Sequence, residues 1–193
     1  MHALSHEPEP RPDHDPPTRP RKGYCSDPAR QLPNQKGYEE SLTWIKPSFL
    51  WMMYRCGWGT KAGQETVLAF EISRGGFEWA LRHACLSSYV RGVHPDRSTW
   101  QRQVKRAPAR VQWDPERDLH LRPLPHRSLQ LGLSGEAVRR YADEWTVAIS
   151  DVTPLARDIH ALVSDGDLDS AAQLLPQEPP YPAGDDLLTH LHP

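Results

Sequence analysis

The chain lacks most of the features that assign a sequence to a class at once. No stretch approaches the roughly 20 consecutive apolar residues of a membrane-spanning helix, and the N-terminus has no hydrophobic run of a secretory leader. Both absences lead us to expect a soluble, cytoplasmic protein without a membrane partner. Cysteine is scarce: Cys25, Cys56 and Cys85 are an odd number at wide, unpatterned spacings. Such spacing excludes a readable disulfide framework or cysteine-based zinc signature and fits a reducing compartment. No glycine-rich phosphate loop and no internal repeat is visible, and Asp118-x-His120 is too sparse to read as a metal site. At 193 residues, one domain with a sizeable core is the default.

What is there is segregated charge. The overall net of −2 divides unevenly: residues 1–42 carry six Lys/Arg against seven Asp/Glu, residues 43–127 fourteen against seven, and residues 128–193 three against eleven. A basic middle beside an acidic end points either to an anionic partner or to an internal electrostatic clasp.

The densest apolar segment is Thr43–Lys61, interrupted by Lys46, Ser48, Arg55 and Lys61. Lys46-Pro47 reads as an extended residue followed by the first position of a helix. From Ser48 to Arg55 the helix has little amphipathic period and is expected to be buried nearly all round, with Gly57 as its left-handed cap. Two readings stand side by side. In one, this is a core helix whose Lys46 and Arg55 reach out to water. In the other, Lys46, Ser48 and the helix start form an anion site.

Residues 1–41 hold eight of the twenty prolines up to position 40, with many charges and few aliphatics. That composition predicts a disordered segment. A globular domain is expected over 42–176, followed by a flexible acidic, proline-rich tail over 177–193. Within the domain, Thr66–Ile72 reads as a strand and Phe77–Leu86 as an amphipathic helix. A second helix, capped by Asp96 or Ser98, carries Arg97, Arg102, Lys105 and Arg106 on a basic face, either simply solvated or tracking phosphates. Val111–Trp113 reads as a short strand entering a turn at Asp114-Pro115-Glu116-Arg117, and Arg127–Leu133 as a strand whose Leu129, Leu131 and Leu133 share one face. Ser134 is expected to cap a helix over 135–145, and Val147–Ile149 to lie in a strand starting at Thr146. Thr153-Pro154 is expected to open a helix that Gly166 ends, and Asp167 to cap a final short helix. Short strands and helices in irregular alternation predict an α+β fold, mostly antiparallel and packed by several helices.

Thr43–Lys61, Gln112-Trp113-Asp114-Pro115-Glu116-Arg117-Asp118 and Arg127–Leu133 together resemble a bacterial and fungal family known as domain of unknown function 4291, from about Leu42 to about Pro182. The resemblance implies no established activity and names no cofactor. It does imply an arginine-containing strand and a tyrosine-rich segment ahead of the Trp-Ile-Lys-Pro block, a pattern that residues 1–41 do not show. Cys56 stands where serine is expected, and His126 where tyrosine is.

The family-like blocks supply Lys46, Ser48, Arg55, Lys61, Gln112, Trp113, Arg117, Arg127 and Gln130 as candidate ligand contacts. Arginine forks onto phosphate and lysine acts as a point charge, glutamine reads a base or ribose edge, and tryptophan stacks on a ring. Asp114, Glu116 and His126 are the candidate general bases. The set describes a pocket for a phosphorylated, ring-bearing ligand. One expectation is a nucleotide- or RNA-directed group-transfer enzyme; the alternative is a non-catalytic binding module for RNA or an acidic protein. Pairing of Asp114 with Arg117 and of Glu116 with Arg127 would instead make the charges purely structural.

Overall fold

The longest pairing in the protein joins Ala109–Arg117 (β5) to Pro123–Leu133 (β6) as an antiparallel hairpin. The computed structural model describes residues 21–25 and 43–182, together with 184, 187 and 191. Around the hairpin, Thr43–Ile45 (β2) pairs antiparallel with β6, and Ala84–Leu86 (β4) pairs parallel with β5, giving the order β2-β6-β5-β4. A second sheet has the order β1-β3-β7, with Arg21–Cys25 (β1) and Thr146–Asp151 (β7) both antiparallel to Leu68–Ile72 (β3). Among the described residues a bridge between Tyr24 and Lys46, through a 3.1 Å bond from the Tyr24 N–H to the Lys46 carbonyl, links the two sheets. The fold is α+β and mostly antiparallel, as composition and alternation predict.

The helices are Phe49–Cys56 (α1), Arg74–Arg82 (α2), Arg97–Arg106 (α3), Glu136–Arg140 (α4, continuing as a π turn over Tyr141–Trp145), Thr153–Asp165 (α5) and Leu168–Leu174 (α6). They separate two cores. One gathers Phe49, Met52, Met53 and Cys56 of α1 with Tyr24, Trp58, Ala156, Ile159 and Ala171. The other sets Phe77, Ala80 and Leu81 of α2 against Val111, Leu131, Leu133, Val138, Tyr141 and Trp145. Each fully buried large apolar side chain contributes about 1.5–3 kcal/mol relative to exposure, so α1 is anchored by packing rather than by intrinsic propensity.

Local signals hold up well. Gly57 caps α1 in the left-handed region and Gly166 does the same for α5, while Asp96 and Asp167 cap α3 and α6 through their side chains. Other expectations are corrected. Pro47 does not take the first helical position: Ser48 caps α1, extended and with its Oγ accepting from the Trp51 N–H at 3.2 Å, which leaves Pro47 just outside the helix. Nor is α1 buried all round, since Tyr54 and Arg55 are exposed. The helix expected over 77–86 starts at Arg74 and stops at Arg82, because Ala84–Leu86 peel away to pair with β5. Ser134 caps no helix; its hydroxyl faces the Ala107 and Pro108 carbonyls, and Gly135 takes the cap position. Val152, not Thr153, precedes α5 as its cap.

Three larger departures matter for function. Asp114–Arg117 is not a turn but the end of β5; the turn lies at Asp118–Leu121, where Leu121 takes a positive φ and the Asp118 carboxylate accepts from the Arg122 N–H. Residues 21–25, inside the segment expected to be disordered, form β1 with Tyr24 buried, a strand ahead of the Trp-Ile-Lys-Pro block; the remaining positions of that segment lie outside the described residues. The segment after Pro176 does not hang free: Glu178 and Tyr181 bond to the domain, and Leu187 and Leu191 are buried in its core.

Candidate functional site

Where β2 ends, Lys46 must turn inward because its backbone bridges to β1 and its side chain is only 1 % exposed. Its Nζ donates to the Ser128 carbonyl at 3.0 Å, stands 3.8 Å from Oδ2 of Asp114 and 5.0 Å from the centre of the Trp51 ring. Burial pushes the ammonium down to about 8, against the opposing pull of Asp114 and Glu116. Two residues on, Ser48 has two tasks. Its oxygen caps α1, and its hydroxyl donates to Oε1 of Glu116 at 2.6 Å.

Glu116 owes its position to an irregularity in the hairpin. The register shifts between Pro115 and Arg117, so Glu116 has no partner across the ladder, and such bulges re-aim side chains. Burial works against its charge, but the bonds from the Ser48 hydroxyl and the Arg117 N–H, with the neighbouring Ser128 side chain and the charge of Lys46, outweigh it and hold the carboxyl below the usual range. Arg117 lays its guanidinium over the Tyr54 ring at 3.7 Å and donates from Nη1 to the Leu121 carbonyl at 3.3 Å. Arg127 donates from Nη1 to the Trp113 carbonyl at 2.7 Å. Among the described residues neither arginine pairs with a carboxylate, so the Asp114–Arg117 and Glu116–Arg127 pairings do not form.

These groups border a cavity of about 600 Å³. Its polar wall is Ser48, Glu116, Arg117, His126, Arg127 and Ser128, and its apolar wall includes Phe77, Leu81 and Trp113. A third wall comes from Glu178 to Tyr181. The carboxyl of Glu178 accepts from the Phe49 N–H at 2.7 Å and is bonded to the Tyr24 side chain. Burial, reinforced by the neighbouring Glu116, pushes it up to about 7. The cavity therefore holds one carboxyl kept ionised and one that titrates near neutral pH.

A family model described as a domain of unknown function (DUF4291) matches residues 29–181. The chain belongs to that family. The DUF4291 match reaches upstream of the blocks that carry the resemblance and takes in Glu178 and Tyr181 at its end. No curated protein and no solved structure matches the chain.

The predicted residues of this DUF4291 domain divide by position. Ser48, Trp113, Glu116, Arg117, His126 and Arg127 line the cavity. Lys46 and Asp114 stand directly behind it, and Gln112 donates to Asp114 at 2.8 Å from the solvent side. Gln130 sits across the ladder from Gln112 and outside the lining. Arg55 and Lys61 are not brought to the site: Lys61 Nζ bonds the Arg55 carbonyl at 2.7 Å at the far end of α1, where it caps the helix. Sequence reasoning missed Tyr24, Glu178 and Tyr181. An aromatic between prolines in an acidic tail was the signal available for Tyr181. Among the described residues no group of three or more His, Cys, Asp or Glu gathers as a metal site, and no helix is long and apolar enough to cross a membrane.

Proposed function

We propose that this DUF4291 protein binds a phosphorylated, ring-bearing ligand, a nucleotide or an RNA end, in the 600 Å³ cavity and carries out group transfer on it. The observation that carries this reading is the Ser48–Glu116 bond at 2.6 Å inside a cavity whose border also bears Arg117 and Arg127. Glu116, ionised and fixed by its donors, serves as the general base that takes a proton from the attacking hydroxyl. Arg117 and Arg127 offer guanidinium donors to phosphate oxygens, and Trp113 offers a ring face to a base. A ligand that binds the native state raises its melting temperature by mass action, so a thermal-shift panel of nucleotides and short RNAs is the first test. Glu116→Gln is the second: binding retained with turnover lost supports catalysis, and no shift with any panel member rejects the ligand reading.

One observation favours the non-catalytic alternative. Helix α3 buries no residue, and all four of its cations, Arg97, Arg102, Lys105 and Arg106, are exposed, a surface that suits the backbone of RNA. In that case Glu116→Gln would leave every measurable property of RNA binding unchanged.

A further inference from the structure

The segment 176–182 reads Pro-Gln-Glu-Pro-Pro-Tyr-Pro, four prolines in seven residues. Proline presets φ and reduces the freedom of the undocked chain, so such a segment loses little entropy when it lies down on a surface. The side chains of Tyr181 and Glu178 fasten it. Tyr181 donates its hydroxyl to Oε1 of Glu78 at 2.7 Å, its ring meets Phe77 edge-on at 5.0 Å, and the Arg74 guanidinium stands 5.8 Å from the ring centre. Glu178 reaches in at the other end, to the Phe49 N–H and the Tyr24 side chain.

The seat of Glu178 is the better informant. It offers a first-turn helix N–H, a phenol and the nearby charge of Lys46, which are donors for an oxyanion. Yet its present occupant is poorly matched, since Glu116 is a like charge beside it and the residue as a whole is exposed. A carboxyl delivered by a preorganised, weakly buried segment into a cavity lined by arginines, serines and aromatic rings has the character of a place-holder.

We propose that residues 178–181 are a displaceable strap over the cavity, with the Glu178 carboxyl occupying the position that the ligand's acidic group takes when the strap lifts. The strap thus competes with the ligand, and access to the Ser48–Glu116 pair is controlled from within the chain. This rests on the ligand reading above and adds its regulation.

The test uses the full chain, with adenosine 5′-monophosphate and inorganic pyrophosphate as probes. Glu178→Ala empties the seat and should tighten binding of either probe about tenfold, the size of effect expected when a competing conformation is removed. Tyr181→Phe loosens the other fastening without touching the seat and should act in the same direction, by less. In the wild-type protein, saturating probe should speed amide exchange at residues 177, 178 and 181. Equal affinity in wild type and Glu178→Ala, or slower exchange at those residues on binding, overturns the strap while leaving the ligand reading intact. No binding of either probe by wild type or variants overturns the ligand reading, and the strap with it.

Discussion

The backbone N–H of Phe49 donates to Oε1 of Glu178 across 2.7 Å, joining residues 129 positions apart. The neighbouring Ser48 spans 68 positions to Glu116 through its hydroxyl. The start of α1 is therefore the point at which the middle and the end of the chain meet: the free Phe49 N–H holds the Glu178 carboxyl, and the capping Ser48 hydroxyl holds that of Glu116.

Ser48 combines a helix cap with a buried side-chain bond. Loss of a serine cap costs about 0.5–2 kcal/mol, and the orphaned Glu116 acceptor adds to it. Ser48→Ala is expected to lower stability by about 2 kcal/mol in urea denaturation. A change below about 0.5 kcal/mol would show that the cap and the Glu116 bond are not made in solution.

Lys46 gives a pH dependence of definite sign. Its ammonium is pushed from an ordinary 10.5 down to about 8, first by burial. Between those values the unfolded chain binds more protons than the folded one, so this residue makes stability rise with pH. Urea denaturation of wild type and Lys46→Met at pH 7.5, 8.5 and 9.5 isolates the contribution. Wild type minus variant should climb across the series, and a flat or falling difference contradicts the buried placement.

Glu178 behaves in the opposite sense. Its carboxyl is pushed up from 4.5 to about 7 when docked, by burial first. The docked form holds its proton more tightly, so docking is strongest at low pH and weakens as pH rises through about 7. Amide exchange at residues 177, 178 and 181, corrected for the intrinsic effect of pH, should be faster at pH 8 than at pH 5.5. Glu178→Gln, which cannot ionise, should remove the difference.

Two glycines test the packing. At Gly76 a Cβ would collide with the Trp145 ring, and at Gly23 with the Ile45 side chain. Propensity alone would make Gly→Ala in a helix favourable by about 1 kcal/mol. Overpacking reverses that sign, and Gly76→Ala is expected to destabilise by about 1–3 kcal/mol. Gly23→Ala tests β1 directly, for if Arg21–Cys25 did not lie beside Ile45 the substitution would be neutral. Denaturation midpoints of the two variants decide both points.

Features that depend on neighbours within a turn or two of chain were legible from residue order alone. Asp96 and Asp167 cap because a short carboxylate reaches the N–H groups just ahead of it, and Gly57 and Gly166 end helices because they accept a positive φ without strain. The three-residue stripe of Leu129, Leu131 and Leu133 announced the inner face of β6. Family membership, too, was legible in the blocks around Lys46, Glu116 and Arg127. Which of those charges meet follows from the folded contacts instead. β1 looks too polar and too proline-flanked to order, yet it pairs along its whole length with β3, a partner more than forty residues away. Glu116 faces Ser48 because a register shift in a long hairpin turns it there, and Glu178 reaches Phe49 because a tail without helix or strand signals is held by bonds to distant residues. Pairing, register and burial are properties of contacts between remote segments, and local composition carries no term for them.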